Sequence, residues 1–114
     1  MTNQISRQIS RTELLRKLLG NDRPLLIEAL PEKYFSHAHI PGAINMPHDQ
    51  VDQLAGSVLP RKDATVVVYC ASATCQNSHI AAERLMQLGY NDVQVYVEGK
   101  KGWVDAGLPV EGKY

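Results

Sequence analysis

A chain of 114 residues, of which 44% are apolar and 21% charged, has the size and composition of a single globular domain spanning residues 1–114. Its twelve basic and twelve acidic side chains cancel, which argues against nucleic acid or a membrane surface as the main partner. The longest apolar run is far shorter than the ~20 residues of a membrane span, and the N-terminus lacks the apolar core of a secretory signal. We therefore predict a cytoplasmic protein. Two cysteines are too few for a disulfide-stapled fold, which fits a reducing compartment.

The N-terminal residues predict a tail, a helix and a strand. Residues 1–9 are polar, and we expect them to form a disordered tail. Ser10 followed by Glu13 is a capping-box pattern that starts a helix, and Gly20 ends it. Residues 25–29, LLIEA, are short and apolar, as in a parallel core strand. The buried stripe of the helix is predicted to comprise Leu14, Leu15, Leu18 and Leu19.

Residues 31–54 predict short elements joined by turns. Pro31 favours a helical turn over residues 31–35, with the proline at its first position. The Pro41–Gly42 pair is typical of a turn, and we expect a short strand directly after it. A second short helix is predicted over residues 48–54.

The segment 65–89, TVVVYCASATCQNSHIAAERLMQLG, carries the strongest pattern in the chain. Residues 65–69 predict a buried strand that ends at Cys70, and helical periodicity resumes after a small polar loop, with Asn77 or Ser78 as the N-cap. Such a loop gathers backbone N–H groups around the strand end. We therefore expect the Cys70 thiol to have a lowered pKa and to be nucleophilic near neutral pH. The helix is expected to present Ile80, Ala81, Arg84, Leu85 and Leu88 at helical spacing.

The C-terminal residues predict one more strand and one more helix. We expect a strand over residues 93–97, a glycine-bounded loop over 98–102 and a short helix over 103–106. The alternation of strands and helices along the chain indicates an α/β fold with a parallel sheet and helices on both faces.

Four segments together resemble the rhodanese-like sulfurtransferase family in its single-domain form. They are HIPGAIN at 39–45, VVYC at 67–70, the helix pattern of 78–90, and the closing segment of 98–110 that contains Trp103. The resemblance covers residues 10–112. It implies a three-layer rhodanese-like α/β fold in which a central, mainly parallel five-stranded sheet has helices on both faces.

The resemblance also implies a function and a site. In this family the cysteine takes a sulfane sulfur from a donor such as thiosulfate, holds it as a persulfide and passes it to a thiophilic acceptor. The implied partners are a small sulfur-containing anion or persulfide donor and an acceptor that a protein can supply. From the balanced charge, the short apolar runs and the lack of metal-ligand spacing we expect no nucleic acid, membrane or metal, and we expect no cofactor. The candidate site comprises Cys70 as the catalytic residue and a substrate-binding loop of Ala71, Ser72, Ala73, Thr74, Cys75, Gln76, Asn77 and Ser78.

This chain departs from the family pattern at the loop. The family places an arginine five residues after the cysteine, directly before the Ser or Thr of the helix. Counting forward puts Cys75 there, whereas counting backward from the helix puts Asn77 there, with two residues inserted. Either way a bidentate cationic clamp is missing. We expect thiosulfate affinity to fall by about 2 kcal/mol or more, the scale of a lost charge-assisted contact.

A second departure concerns basic residues beside the loop. The second strand ends Glu28-Ala29-Leu30, where many members have Asp-Val-Arg. Lys100 and Lys101, before Trp103, are candidates to replace the lost positive charge.

Three residues, Cys70, Cys75 and His79, have two alternative interpretations each. Cys70 is a nucleophile or a buried strand-end thiol acting as a small hydrophobe. Cys75 is an inert loop residue or a resolving thiol that attacks a Cys70 persulfide or sulfenate to give a disulfide. His79 is an acid–base group or faces solvent. The residues predicted to be structural are His37 and His39, which bond backbone in their turn, and Trp103, which anchors the core.

Three alternative functions follow from the same residues. The first is thiol–disulfide or peroxide chemistry, with Cys70 attacking and Cys75 resolving. The second is a regulatory or persulfide-carrier module with weak or no thiosulfate activity. The third, a phosphatase or arsenate reductase, ranks lowest because those enzymes depend on the absent arginine.

Overall fold

Apolar and β-branched segments form the strands of one five-stranded sheet. The computed structural model describes residues 7–113. The strands are β1 (Arg7–Ile9), β2 (Leu25–Glu28), β3 (Ile44–Asn45), β4 (Thr65–Tyr69) and β5 (Asp92–Tyr96). Their order is β1-β5-β4-β2-β3, and every pairing between these strands is parallel. The central β4 therefore lies between β2 and β5.

Helices cover both faces of this sheet, as the alternating pattern predicts. They are α1 (Arg11–Leu19), α2 (Glu32–His37), α3 (Val51–Val58), α4 (Asn77–Gln87) and α5 (Gly99–Asp105), with a 3₁₀ turn at His48–Gln50. The sheet separates two apolar clusters. One contains Val66 and Val68 of β4 with α3 and α4, and the other contains Val67 with Leu14 of α1 and Trp103 of α5. The predicted α/β architecture is confirmed. No helix within residues 7–113 is long and apolar enough to cross a membrane.

The expectation of a disordered tail over residues 1–9 is wrong for its last three residues. Residues 7–9 form β1, which pairs in parallel with β5, and Ile9 is buried. Its hydrogen-bonding partner lies more than 80 residues later in the chain, so the local polarity of the segment carries no sign of the pairing. The rest of the predicted tail, residues 1–6, lies outside the described residues.

Helix α1 begins as predicted, but its apolar stripe is narrower. The Ser10 hydroxyl accepts a hydrogen bond from the Glu13 amide at 3.1 Å, which confirms the N-cap. Leu14 is buried, whereas Leu19 is 79% exposed. Leu19 is the last residue of α1, where the chain turns away from the core, so its assignment to the buried stripe was wrong.

Two other helix boundaries differ from prediction. Helix α4 begins at Asn77 with Gln76 as the flanking residue, so neither Asn77 nor Ser78 is the N-cap. Helix α5 begins at Gly99 instead of Trp103, so most of the predicted loop 98–102 is helical.

Candidate functional site

The site forms where β2 and β4 end side by side. Glu28 and Tyr69, the last residues of the two strands, are in register, and the Ala29 amide donates to the Tyr69 carbonyl at 2.9 Å. Cys70 follows directly and is 1% exposed. The carboxyl edge of a parallel sheet is where α/β proteins place their binding sites.

The loop after Cys70 is held from two sides. Within it, the Cys75 amide donates to the Ser72 carbonyl at 3.1 Å. From outside, the amide of Lys100 in α5 donates to the Cys70 carbonyl at 2.8 Å, and that of Lys101 donates to the Ala71 carbonyl at 2.9 Å. The first turn of α5 therefore fixes the backbone at the start of the loop.

Close approach of α5 to the loop requires a glycine at the start of this helix. Gly99 has φ +70, and a Cβ there would lie 2.7 Å from the Cys70 carbonyl oxygen and 2.8 Å from the Ser72 amide nitrogen. A side chain would push the loop away from α5.

The Cys70 sulfur is a hydrogen-bond donor in a buried position. Its Sγ lies 3.4 Å from the Cys75 carbonyl oxygen and 3.4 Å from Ser78 Oγ. Burial raises the pKa of the Cys70 thiol, and its bond to Cys75 adds to this, while the hydroxyl and amide of Ser78 act in the opposite direction. The prediction that the pKa of Cys70 is lowered is therefore wrong, because the loop buries the sulfur instead of leaving it exposed among the backbone amides.

The Cys75 sulfur has the environment that was expected for Cys70. Cys75 is only partly buried and is a free thiol. Burial alone would raise the pKa of Cys75, but hydrogen bonds from the Cys70 thiol and from the amides of Ala71 and Asn77 outweigh it and lower the pKa below its ordinary value. Two backbone amides and a thiol thus converge on Cys75.

The remaining loop residues divide into a buried and an exposed set. Ser78 is buried against Cys70, whereas the hydroxyls of Ser72 and Thr74 bond each other at 3.2 Å on the exposed side. Ala73 and Gln76 are exposed. The loop therefore brings Cys70, Cys75 and Ser78 together, while Ser72 and Asn77 are half-buried and its remaining residues are exposed.

A buried polar cluster beside the loop was not predicted as a unit. Glu28 is fully buried, accepts from the Tyr69 hydroxyl at 2.8 Å and pairs with Lys100 Nζ at 3.1 Å. Lys100 Nζ also donates to the Tyr34 carbonyl at 3.1 Å, and the Tyr69 hydroxyl accepts from the Ile40 amide at 3.1 Å. Burial raises the pKa of Glu28, although Tyr69 and Lys100 favour its charged form. The sequence feature that could have indicated this cluster is the glutamate within the apolar run LLIEA.

The structure shows what the basic and aromatic residues near the loop contact. Lys100 is engaged by Glu28, and Lys101 pairs with Asp105 on the surface at 2.8 Å. His39 Nδ1 bonds the Phe35 carbonyl at 2.8 Å, which confirms a structural imidazole. Trp103 is 2% exposed and donates to the Pro109 carbonyl at 2.7 Å, which confirms the core anchor.

A cleft of about 540 Å³ adjoins the loop. Its lining is mostly apolar and includes Leu30, Tyr34, Ala71, Lys100 and Val104. Tyr34 and Val104 are each about half exposed, at 49% and 48%. The cleft therefore offers an apolar surface that touches the first residue after Cys70.

The fold and this strand–cysteine–loop–helix site define a known class of protein. The model of the rhodanese-like domain matches residues 11–106, so the chain belongs to the rhodanese-like domain family. The relatives named as thiosulfate sulfurtransferases or sulfurtransferases make this a sulfurtransferase-like family.

Over the aligned residues, the chain is about one third identical in sequence to curated relatives. The chain is 35% identical over 80 residues to the thiosulfate sulfurtransferase PspE of Escherichia coli, covering 70% of each chain. It is 30% identical over 103 residues to a sulfurtransferase of Allochromatium vinosum, covering 90% of this chain and 92% of the relative. It is also 33% identical over 107 residues to the HTH-type transcriptional regulator Rv0324 of Mycobacterium tuberculosis, covering 90% of this chain but 44% of that protein.

Solved structures share the fold. A thiosulfate sulfurtransferase from Pseudomonas aeruginosa superposes with a TM-score of 0.83 at 27% identity, covering 94% of this chain and 20% of that one. A rhodanese with anions from E. coli gives a TM-score of 0.66 at 29% identity, covering 79% of this chain and 99% of that one. The chain thus spans a minor part of some relatives and most of others.

Proposed function

We propose that this protein is a sulfurtransferase that moves a sulfane sulfur from a thiosulfate- or persulfide-type donor to a thiophilic acceptor and carries it as a Cys70 persulfide. The observation that supports this most directly is that the Ser78 hydroxyl and the backbone amides of Ala71, Asn77 and Ser78 lie around the two cysteine side chains at the end of β4. Such donors stabilise the negative charge of a thiolate or persulfide without a cation. The reaction suits the predicted cytoplasmic location, where thiols stay reduced.

The chemistry balances without an external oxidant. A protein thiolate attacks the sulfane sulfur of thiosulfate, a protein persulfide forms, and sulfite leaves with the electron pair of the broken S–S bond. An acceptor thiolate then attacks the outer sulfur, takes it as a new persulfide and restores the protein thiolate.

The loop favours a persulfide donor over thiosulfate. Residues 70–78 contain no arginine or lysine, and the nearby Lys100 is bound to Glu28. Within residues 70–78 a dianion therefore meets neutral donors only, whereas a persulfide brings a single charge and an organic group. The apolar cleft beside Ala71 has the size to accept that organic group.

Intact-mass measurement after incubation with thiosulfate or inorganic polysulfide tests the proposal. We expect the wild-type protein to gain one sulfur atom, faster from polysulfide, and the Cys70→Ser/Cys75→Ser double variant to gain none. Alkylation followed by fragmentation of the tryptic peptide 63–84 then locates the sulfur. A wild-type protein that gains no sulfur, or a double variant that gains as much, contradicts the proposal.

One observation favours a second candidate, reversible thiol–disulfide exchange. The Cys70 Sγ lies 3.4 Å from the Cys75 carbonyl oxygen, and each thiol shifts the pKa of the other, so the two cysteine side chains are close in the folded loop. A peroxide or small-molecule disulfide would accept the two electrons as the Cys70–Cys75 disulfide forms. Two thiols that stay free and open to alkylation under such an oxidant exclude this candidate.

A further inference from the structure

An apolar cleft separates α2 from α5 beside the cysteine loop. Four large apolar side chains are exposed within residues 7–113, and two of them, Tyr34 of α2 and Val104 of α5, line this cleft. Leu30 and Ala71 add to its lining, and its volume is about 540 Å³. A concave apolar surface of this size is typical of a small-molecule site, whereas apolar residues scattered singly over a surface are not.

The lysines that line the cleft are already paired within the protein. Lys100 Nζ lies 3.1 Å from the buried Glu28 carboxylate, and Lys101 Nζ lies 2.8 Å from the Asp105 carboxylate, where solvent screens both charges. His37, which also lines the cleft, is exposed to solvent. A carboxylate that entered the cleft would therefore lose water against apolar side chains without gaining a buried cation as partner.

The cleft adjoins the reacting cysteine through the backbone. Ala71, which lines the cleft, follows Cys70 directly, and the amide of Lys100 donates to the Cys70 carbonyl at 2.8 Å. The side chain of Lys100 donates to the Tyr34 carbonyl at 3.1 Å, so this one residue joins the loop, α5 and α2. Because consecutive Cα atoms are about 3.8 Å apart, an organic group in the cleft lies within a short carbon chain of the cysteine.

From this arrangement we infer that the cleft binds the organic group of a small, uncharged, apolar thiol and that Tyr34 and Val104 determine this specificity. The inference rests on the proposed sulfur transfer and names the chemical class of its acceptor. The persulfide of the same thiol carries the same organic group, so it is the donor in the reverse reaction. Thiols that carry a carboxylate are poor substrates because the lysines of the cleft are paired.

The transfer step conserves atoms and electrons. The acceptor thiolate attacks the outer sulfur of the Cys70 persulfide, and a new S–S bond forms as the bond to Cys70 breaks. Cys70 leaves as a thiolate with the electron pair of that bond, and the outer sulfur keeps its hydrogen. In the reverse direction the Cys70 thiolate attacks the outer sulfur of the organic persulfide and the organic thiolate leaves. Neither direction needs an oxidant or a reductant.

Single-turnover unloading by three thiols of nearly equal length tests the specificity. Wild-type protein is loaded with inorganic polysulfide, freed of excess reagent and mixed with 1-butanethiol, 3-mercaptopropan-1-ol or 3-mercaptopropionate. Intact mass follows the loss of one sulfur atom. Each rate constant is divided by the rate constant for attack of the same thiol on a small organic disulfide in buffer, which corrects for intrinsic nucleophilicity.

The three thiols differ in the polarity of the group that would enter the cleft. We expect the corrected rate constant of 1-butanethiol to exceed that of 3-mercaptopropionate about tenfold, with the alcohol between them, because the carboxylate loses the most hydration. Equal corrected rate constants, or a preference for the carboxylate, overturn the inference.

A cation placed on the wall of the cleft tests which residues form the site. Val104→Lys adds an ammonium group at a position of α5 that is 48% exposed. We expect the preference for 1-butanethiol over 3-mercaptopropionate to fall about tenfold and to recover in part with added salt. Leu19→Lys is the matched control, because Leu19 is 79% exposed and lies outside the cleft. An unchanged preference in Val104→Lys, or the same fall in Leu19→Lys, contradicts the inference.

A change in folding must not be mistaken for a change in specificity. Thermal unfolding of each variant is measured alongside, and Tyr34→Ser replaces Val104→Lys if the lysine variant unfolds. This change removes the aromatic ring but keeps the backbone carbonyl that Lys100 binds. We expect the preference for 1-butanethiol to fall about threefold in Tyr34→Ser. A wild-type preference in a folded Tyr34→Ser overturns the inference.

The outcomes separate this inference from the proposed function. A wild-type protein that loads from polysulfide and then unloads to all three thiols at equal corrected rates supports the sulfurtransferase proposal and overturns the inference. If the wild-type protein gains no sulfur, the proposed function fails and the inference fails with it.

Discussion

The ends of β2 and β4 lie side by side in the sheet, but their buried polar side chains have different kinds of partner. At the end of β2, the Glu28 carboxylate is closed off by the Tyr69 hydroxyl and the Lys100 ammonium group. At the end of β4, Cys70 and Cys75 have neutral hydrogen-bond donors, and within residues 7–113 no cationic side chain is hydrogen-bonded to either sulfur. At the end of β2, which we call the neutralised strand end, the charge of Glu28 is therefore balanced by Lys100. At the end of β4, the dipolar strand end, Cys70 and Cys75 are stabilised by hydrogen-bond dipoles.

If the proposed function is correct, this difference predicts which sulfur donors the site prefers. Fixed dipoles stabilise a single negative charge well, but a dianion such as thiosulfate gains most from a full positive charge. The available ammonium group of Lys100 is held by a buried carboxylate, so it is not free to bind a second anion. The following changes act on one strand end or the other.

The largest expected effect is on the backbone that holds the cysteine loop. In Gly99→Ala the new Cβ would lie 2.7 Å from the Cys70 carbonyl oxygen, in a backbone conformation of φ +70. We expect the free energy of unfolding to fall by about 2 kcal/mol or more, because backbone atoms must move to relieve the clash. Sulfur loading should slow with it. Urea unfolding and intact-mass kinetics measure the two effects.

Gly107→Ala is the matched control for this change. Gly107 has a similar φ of +76, but no atom lies within 4 Å of its added Cβ. It should lose only the conformational cost, about 1 kcal/mol, and should load sulfur normally. Equal losses in the two variants would show that contact with the loop is not what Gly99 provides.

The neutralised strand end is tested by removing its cation. In Lys100→Met, Glu28 keeps its buried position without an ion-pair partner, and we expect a loss of about 3 kcal/mol in unfolding free energy near neutral pH. Lys101→Met is the control, because its pair with Asp105 is 69% and 61% exposed and should contribute little. Denaturant unfolding measures both. If the two lysine variants lose the same stability, the cluster around Glu28 is not specially dependent on Lys100.

The dipolar strand end is tested by adding a cation. Asn77→Arg supplies a guanidinium group at the first residue of α4, the position that the family pattern gives to arginine when counted back from the helix. We expect KM for thiosulfate to fall about tenfold, or 1.4 kcal/mol, and to rise again with salt. Steady-state transfer from thiosulfate and from an organic persulfide measures the change. An equal gain with both donors, or the same gain in Asn77→Gln, would contradict the role of charge.

Local patterns in the sequence predicted much of this architecture. The apolar run 65–69 ends at Cys70, and Ser10 with Glu13 marks the start of α1, because these signals lie within a few residues of one another. The all-parallel sheet follows from alternation of strands and helices. The family resemblance supplied the fifth strand.

The sequence analysis missed features that depend on residues far apart in the chain. Lys100 and Glu28 are 72 positions apart, and β1 pairs with β5 at the far end of the chain. The relative depth of Cys70 and Cys75 depends on how α5 holds the loop, which the sequence of the loop does not contain. The loop could therefore be located from sequence, but the chemical difference between its two thiols could not.

The smallest expected effect is the pH dependence of the neutralised strand end. Burial raises the pKa of Glu28, so the folded protein retains this proton at pH values where the unfolded chain has released it. The stability that results is fully present below the ordinary carboxyl value of 4.5 and is lost as the pH rises through the raised pKa. In Glu28→Gln this titration is absent. We therefore expect the difference in unfolding free energy, wild type minus variant, to become less favourable to the wild type as pH rises above 4.5. Denaturant unfolding of both proteins across that range measures it. A difference that is constant with pH, or that grows in favour of the wild type, would mean that Lys100 and Tyr69 balance or outweigh burial and that the pKa of Glu28 is not raised.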